Sequence, residues 1–107
     1  MILVTLRIVV PPERRDEVLK TLRSFLGPTG VQPGCISCRS YQDLENENAL
    51  ILVEEWESQA DLDTHIRSDD FRKILAVMDI SNEPPEIKFN TVSKTLGMEV
   101  IERIRGK

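Results

Sequence analysis

Residues 2–10 read Ile2-Leu3-Val4-Thr5-Leu6-Arg7-Ile8-Val9-Val10, and in an extended chain Ile2, Val4, Leu6, Ile8 and Val10 fall on one side, with Leu3, Thr5, Arg7 and Val9 on the other. Both sides are mostly apolar, so a strand here has to be covered on both faces. That demand limits the architectures open to the chain. Its 107 residues make one domain, which buries roughly two-thirds of its unfolded surface and gains from association with another copy. With 40% apolar and 30% charged residues, the chain has the composition of a folded globular protein.

The following segments supply the cover. Pro11-Pro12 opens a helix whose stripe is Val18, Leu19, Leu22, Phe25 and Leu26, and Gly27-Pro28 predicts its stop. After the turn-rich residues 27–34, a second strand is expected from Cys35 to Asp43. The polar residues 44–48 turn the chain back into a third strand, Ala49 to Trp56, forming an antiparallel hairpin. Ser58 with Asp61 three residues on resembles a capping box and starts a helix through Arg67. Ser68 is expected to begin a second helical segment with Phe71, Ile74, Leu75 and Met78 on one face. Asn82-Glu83-Pro84-Pro85 ends it, and Glu86 to Ser93 alternates as a fourth strand. The order is βαββαβ, an α+β, ferredoxin-like split βαβ with an antiparallel sheet. Helices then cover one face, leaving Leu3, Val9, Ile51 and Val53 on the other. Two such faces packed together predict a homodimer. The tail from Met98 to Lys107 alternates again and is expected as an extra strand or a dimer arm.

The net charge of −4, with scattered Lys and Arg, lacks the basic stripe of a nucleic-acid binder. The apolar N-terminus has no basic leader, carries Arg7 and runs into prolines. Neither a signal peptide nor a membrane span is expected, and the cytoplasm is the expected location. Cys35 and Cys38 are spaced as C-x-x-C, but on a strand positions i and i+3 point to opposite faces roughly 10 Å apart. With a single histidine and no second cysteine pair, ligands for zinc are lacking.

The chemistry-bearing residues gather where the third strand gives way to the helix. Glu54 and Trp56 share a strand face with Leu52, and His65 lies on the helix that folds over that face. His65 fits a proton acceptor near neutral pH, Glu54 its orienting partner and Trp56 a stacking surface. The structural alternatives are a histidine anchoring helix to sheet and a tryptophan that only packs. A buried Glu54 needs a partner, for which His65, Arg39 and Tyr41 are the candidates. Arg39 and Tyr41 share one face of the second strand and suit a phenolate or carboxylate, or else lie at the surface. Asn90 either polarises a carbonyl or faces solvent, and the Phe71 stripe is read as core.

Pro33-Gly34-Cys35 entering the second strand, Glu54-Glu55-Trp56-Glu57-Ser58 leaving the third, and His65 followed by Ser68-Asp69-Asp70-Phe71 resemble the antibiotic biosynthesis monooxygenase family over essentially the whole chain. These are small dimeric α/β-barrel proteins that include quinol oxygenases and haem-degrading enzymes. In the haem-degrading branch the working set is an Asn, a Trp and a His; by the resemblance the Asn position falls on Leu6 and the His near Leu75, so only Trp56 matches. The quinol-oxygenase branch implies a cofactor-free monooxygenase that oxidises a hydroquinone, anthrone or related polyphenol with dioxygen. Its expected residues are His65 and Glu54 as the proton-handling pair and Trp56, Arg39, Tyr41, Asn90 and Leu6 as substrate contacts. A different class of reading is a non-catalytic or stress-associated module holding a small hydrophobic ligand in the same pocket.

Overall fold

The computed structural model describes residues 1–106. Its elements are β1 (Ile2–Val9), a 3-10 turn (Pro12–Arg14), α1 (Arg15–Gly30), β2 (Cys35–Gln42), β3 (Ala49–Trp56), α2 (Gln59–Arg67), α3 (Phe71–Ile80), β4 (Glu86–Thr91) and α4 (Glu99–Arg105). The sheet runs β2-β3-β1-β4 with every pair antiparallel. This is the ferredoxin-like α+β arrangement expected from the order of elements.

Alternation in β1 and β3 sorts the sheet into two faces. Leu6, Ile8, Leu50 and Leu52 meet Val18, Leu22 and Phe25 of α1 and Phe71, Ile74 and Val77 of α3 in the main core. Ile2, Val4, Trp56 and Leu62 form a smaller cluster at one end of the same face. The opposite face carries half-buried Leu3, Thr5, Ile51 and Val53. Val9, expected there, is buried instead: its carbonyl accepts from the Asn82 backbone and the Ser81 hydroxyl, so the chain after α3 covers it.

Three further expectations are corrected. First, α1 runs through Gly27 and Pro28 to Gly30, one turn beyond the predicted stop. Phe25 and Thr29, four residues apart, are both fully buried, and that packing outweighs the local preference of Gly and Pro. Second, Cys35 faces Trp56 and Cys38 faces Glu54 in the β2–β3 register, with an irregularity between Cys35 and Ser37. The extra residue, Ile36, bulges out half-exposed, so both cysteines come to the same, helix-covered face. Third, the tail is helical, not extended. Met98, Ile101 and Ile104 satisfy a helical period as well as the alternation does. Glu99 accepts from the Gly97 backbone at 2.9 Å, acidic residues start the helix, Arg103 and Arg105 end it, and Gly106 caps it at φ 80°. None of its residues is buried. The radius of gyration of 15.7 Å exceeds the roughly 13 Å of a compact chain this long, as a projecting tail requires.

Candidate functional site

β3 and α2 build the site. Glu54 and Trp56 lie two residues apart on β3 and therefore on one face, the face that α2 covers. α2 begins where the Ser58 hydroxyl accepts from the Asp61 backbone at 3.2 Å, the cap read from the sequence. Beyond Asp61, Leu62 and His65, i and i+3, share one side of the helix and both point inward. His65 and Trp56 are fully buried and Glu54 is 1% exposed. Any ligand touching them must displace a neighbour.

The His65 ring is held on three sides. Trp56 stacks on it at 4.6 Å between centroids and 27°, Phe71 meets it edge-on at 5.3 Å, and Phe25 lies tilted at 5.5 Å. Its Nδ1 lies 3.0 Å from Gln32 Oε1. Its Nε2 lies 3.4 Å from Glu54 Oε1, within reach of an ion pair but without a hydrogen bond. Glu54 Oε1 is in turn satisfied by the Trp56 indole N–H at 2.8 Å. A carboxylate taken out of water costs several kcal/mol unless it is paired, and here the donor it has is the Trp56 indole.

The two thiols on this face are kept protonated. Burial pushes Cys38 up to about 12, reinforced by the nearby Glu54 and Cys35, and burial followed by Glu54 raises Cys35. Both are free and of low nucleophilicity. Among the described residues no cluster of three His, Cys, Asp or Glu side chains could hold a metal ion, and no helix is long and apolar enough to cross a membrane.

The structure thus brings together His65, Glu54 and Trp56, with Leu6 buried on the same face opposite Leu52. It does not bring Arg39, Tyr41 or Asn90 to them. Arg39 pairs with Val53, Tyr41 with Ile51 and Asn90 with Leu3, all on the uncovered face. The bulge at Ile36 sets that phase for β2: opposite Glu54 stands Cys38, not Arg39. On the uncovered face Ser37, Arg39, Tyr41, Val53 and Glu55 line a shallow depression of about 250 Å³, in which the Ser37 hydroxyl donates to Glu55 at 2.6 Å. The haem-ligand position near Leu75 lies on α3, half-exposed.

Gln32 is the residue that sequence reasoning missed. The segment containing it reads as turn, and its partner is 33 residues away. One signal was available: Cys35 pairs with the Trp56 end of β3, so the residues just before Cys35 must pass close to α2.

The chain matches the family model described as antibiotic biosynthesis monooxygenase over residues 1–77. It is 30% identical over 95 residues to an uncharacterized protein of Synechocystis sp., covering 88% of this chain and 65% of that protein, so the match spans just under two-thirds of the relative's length. Among solved structures, a conserved protein from Methanosarcina mazei is 34% identical with a TM-score of 0.77, covering 83% of this chain and 89% of the other. An antibiotic biosynthesis monooxygenase crystal structure superposes with a TM-score of 0.79 at 22% identity, covering 88% of this chain and all of that one, which shows the shared fold. The stretch matched by the family model contains β1 to β3, α2 and most of α3, and with them Gln32, Glu54, Trp56 and His65: the chain belongs to the antibiotic biosynthesis monooxygenase family.

Proposed function

We propose that the protein is a monooxygenase that oxidises an electron-rich phenol, a hydroquinone or an anthrone, with dioxygen and without a bound cofactor. The observation that carries this reading is a buried, unbonded Nε2 on the only histidine, beside a buried carboxylate, in an aromatic box. A core built for stability alone gains nothing from that trio, since apolar residues of similar volume do as well or better.

The chemistry demands little of the protein. Nε2 accepts the phenolic proton, and the electron-rich anion then reduces dioxygen directly. For an anthrone, the CH2 group becomes C=O and the second oxygen leaves as water; for a hydroquinone, a ring C–H becomes C–OH as the ring goes to the quinone, again with one water. The substrate supplies all four electrons. The Glu54 carboxylate stabilises the imidazolium that forms, and Trp56, stacked on it, excludes water. Because the three side chains are sealed, substrate enters by displacing one of the neighbours packed on them, in this reading the Phe71 edge.

Dissolved-oxygen uptake by metal-free protein with a panel of hydroquinones and anthrones tests the reading. Uptake that scales with protein and falls at least tenfold in His65→Gln supports it; uptake no faster than the autoxidation blank refutes it. A second reading, a non-catalytic module binding a small hydrophobic anion, is favoured by the depression lined by Arg39, Tyr41 and Val53. It predicts saturable binding, abolished in Arg39→Ala, with no oxygen consumed. The half-buried Leu3, Ile51 and Val53 also favour a homodimer through this face; sedimentation of a single monomeric species at micromolar concentration would exclude it.

A further inference from the structure

We infer that Gln32, and not Glu54, is the residue that orients His65. For its catalytic consequence this rests on the oxygenase reading above, whereas the positioning itself does not.

The two ring nitrogens have unlike surroundings. Nδ1 is 3.0 Å from a side-chain carbonyl oxygen, a good hydrogen-bond length, while Nε2 has only a carboxylate oxygen at 3.4 Å and no hydrogen bond. The carboxylate oxygen nearest Nε2 is already engaged by the Trp56 indole at 2.8 Å. A carbonyl oxygen can only accept, so Nδ1 carries the ring proton and Nε2 keeps its lone pair. The nitrogen left free is the one on the Glu54 side.

The loop holds Gln32 in place for this. Its backbone N–H donates to Thr29 at the end of α1, and its carbonyl accepts from Cys35 at the start of β2, so the residue is pinned between two elements. The extra turn of α1, through Gly27 and Pro28 to Gly30, delivers the chain to that point. Gln32 is half-buried, which places the amide between the sealed ring and the surface.

For the reaction, the consequence is a division of labour. Gln32 sets the tautomer, leaving Nε2 as the proton acceptor. When Nε2 takes a proton, the cation lies between the Gln32 carbonyl and the Glu54 carboxylate, both of which accept from it. The groups facing this site are Glu54 from β3 and, across the β2–β3 register, the protonated thiols of Cys35 and Cys38.

Because His65 is the only histidine, nitrogen-15 NMR of the ring reads this one residue without assignment. The Nδ1–H tautomer is expected in the unmodified protein and in Gln32→Glu, whose carboxylate can only accept. In Gln32→Leu the Nε2–H form should rise several-fold at the same pH, with the circular dichroism unchanged. In oxygen uptake, Gln32→Leu should lower kcat by about tenfold or more with KM unchanged, and Gln32→Glu should restore it. An Nε2–H tautomer in the unmodified protein, or an unaltered tautomer in Gln32→Leu, overturns the inference. The expected tautomers together with no oxygen uptake in the unmodified protein would uphold the positioning role and refute the oxygenase reading alone.

Discussion

Replacing Trp56 by phenylalanine removes one interaction while keeping most of the ring. The indole N–H to Glu54 bond is 2.8 Å long, with its two side chains at 0% and 1% exposure, so water cannot replace the lost donor. A hydrogen bond of this kind contributes about 1–3 kcal/mol, toward the upper end when the acceptor is ionised. The smaller ring gives up roughly 40 Å² of apolar contact, about 1 kcal/mol at 25 cal/mol/Å². The sum is about 2–4 kcal/mol. At about 2.1 cal/mol/K per residue the unfolding entropy of this chain is about 0.22 kcal/mol/K, so each kcal/mol lowers Tm by about 4 °C. Trp56→Phe should therefore melt about 9–18 °C lower, followed by far-ultraviolet circular dichroism at fixed protein concentration. The ring-size part cancels in a double-mutant cycle with Glu54→Met, because Trp→Phe is made in both backgrounds. The coupling should then be about 1–3 kcal/mol. A value under about 0.5 kcal/mol would refute the view that the indole supports the buried carboxylate.

Removing both polar groups together should be tolerated where removing one is not: Glu54→Met with His65→Phe is expected to be neutral or up to about 4 kcal/mol more stable, His65→Ala alone to lose about 3–5 kcal/mol through the cavity left among Trp56, Phe71 and Phe25, and both to lose oxygen uptake, measured by urea titration and an oxygen electrode. Gly34 sits at φ 82°, and a Cβ there would run into the Asp61 side chain at the start of α2. Gly34→Ala should therefore cost about 1–3 kcal/mol, and a urea midpoint equal to that of the unmodified protein would contradict it. Cys38, pushed up to about 12 by burial, carries a thiolate fraction at pH 8 on the order of a thousandfold below that of a free thiol at about 8.5. Iodoacetamide should label it correspondingly slowly in the folded state, and the rate should climb about tenfold per pH unit up to pH 11; fast labelling at pH 8 would contradict the burial.

What the sequence disclosed followed from strong periodicity. The alternation in β1 and β3, the Ser58 cap and the Phe71–Ile74 stripe each depend on residues within one element, and the βαββαβ order follows from them. What stayed hidden depended on pairings far apart in the chain. The bulge at Ile36 leaves no local mark, because an isoleucine inside a strand looks the same paired or unpaired; yet it turned Arg39 and Tyr41 away from Glu54. The tail satisfied two periods at once, and only its charges and Gly106 decide for a helix. Glu54, Trp56 and His65 were legible because two share a strand face and the third lies on the next helix. Gln32 was not, because nothing within the turn distinguishes an amide aimed at a histidine from one aimed at water.

The stacking of Trp56 on His65 gives the chain an optical reporter of its own. Each is the only residue of its type, and their rings overlap at 4.6 Å. A protonated imidazole accepts an electron from an excited indole and quenches its light, whereas the neutral ring does so weakly. Excited beyond the absorption of Tyr41, the protein therefore emits from one fluorophore and dims when one neighbouring nitrogen gains a proton. Rapid mixing with a phenol would let that gain be followed in time, ahead of any oxygen consumed and without a label.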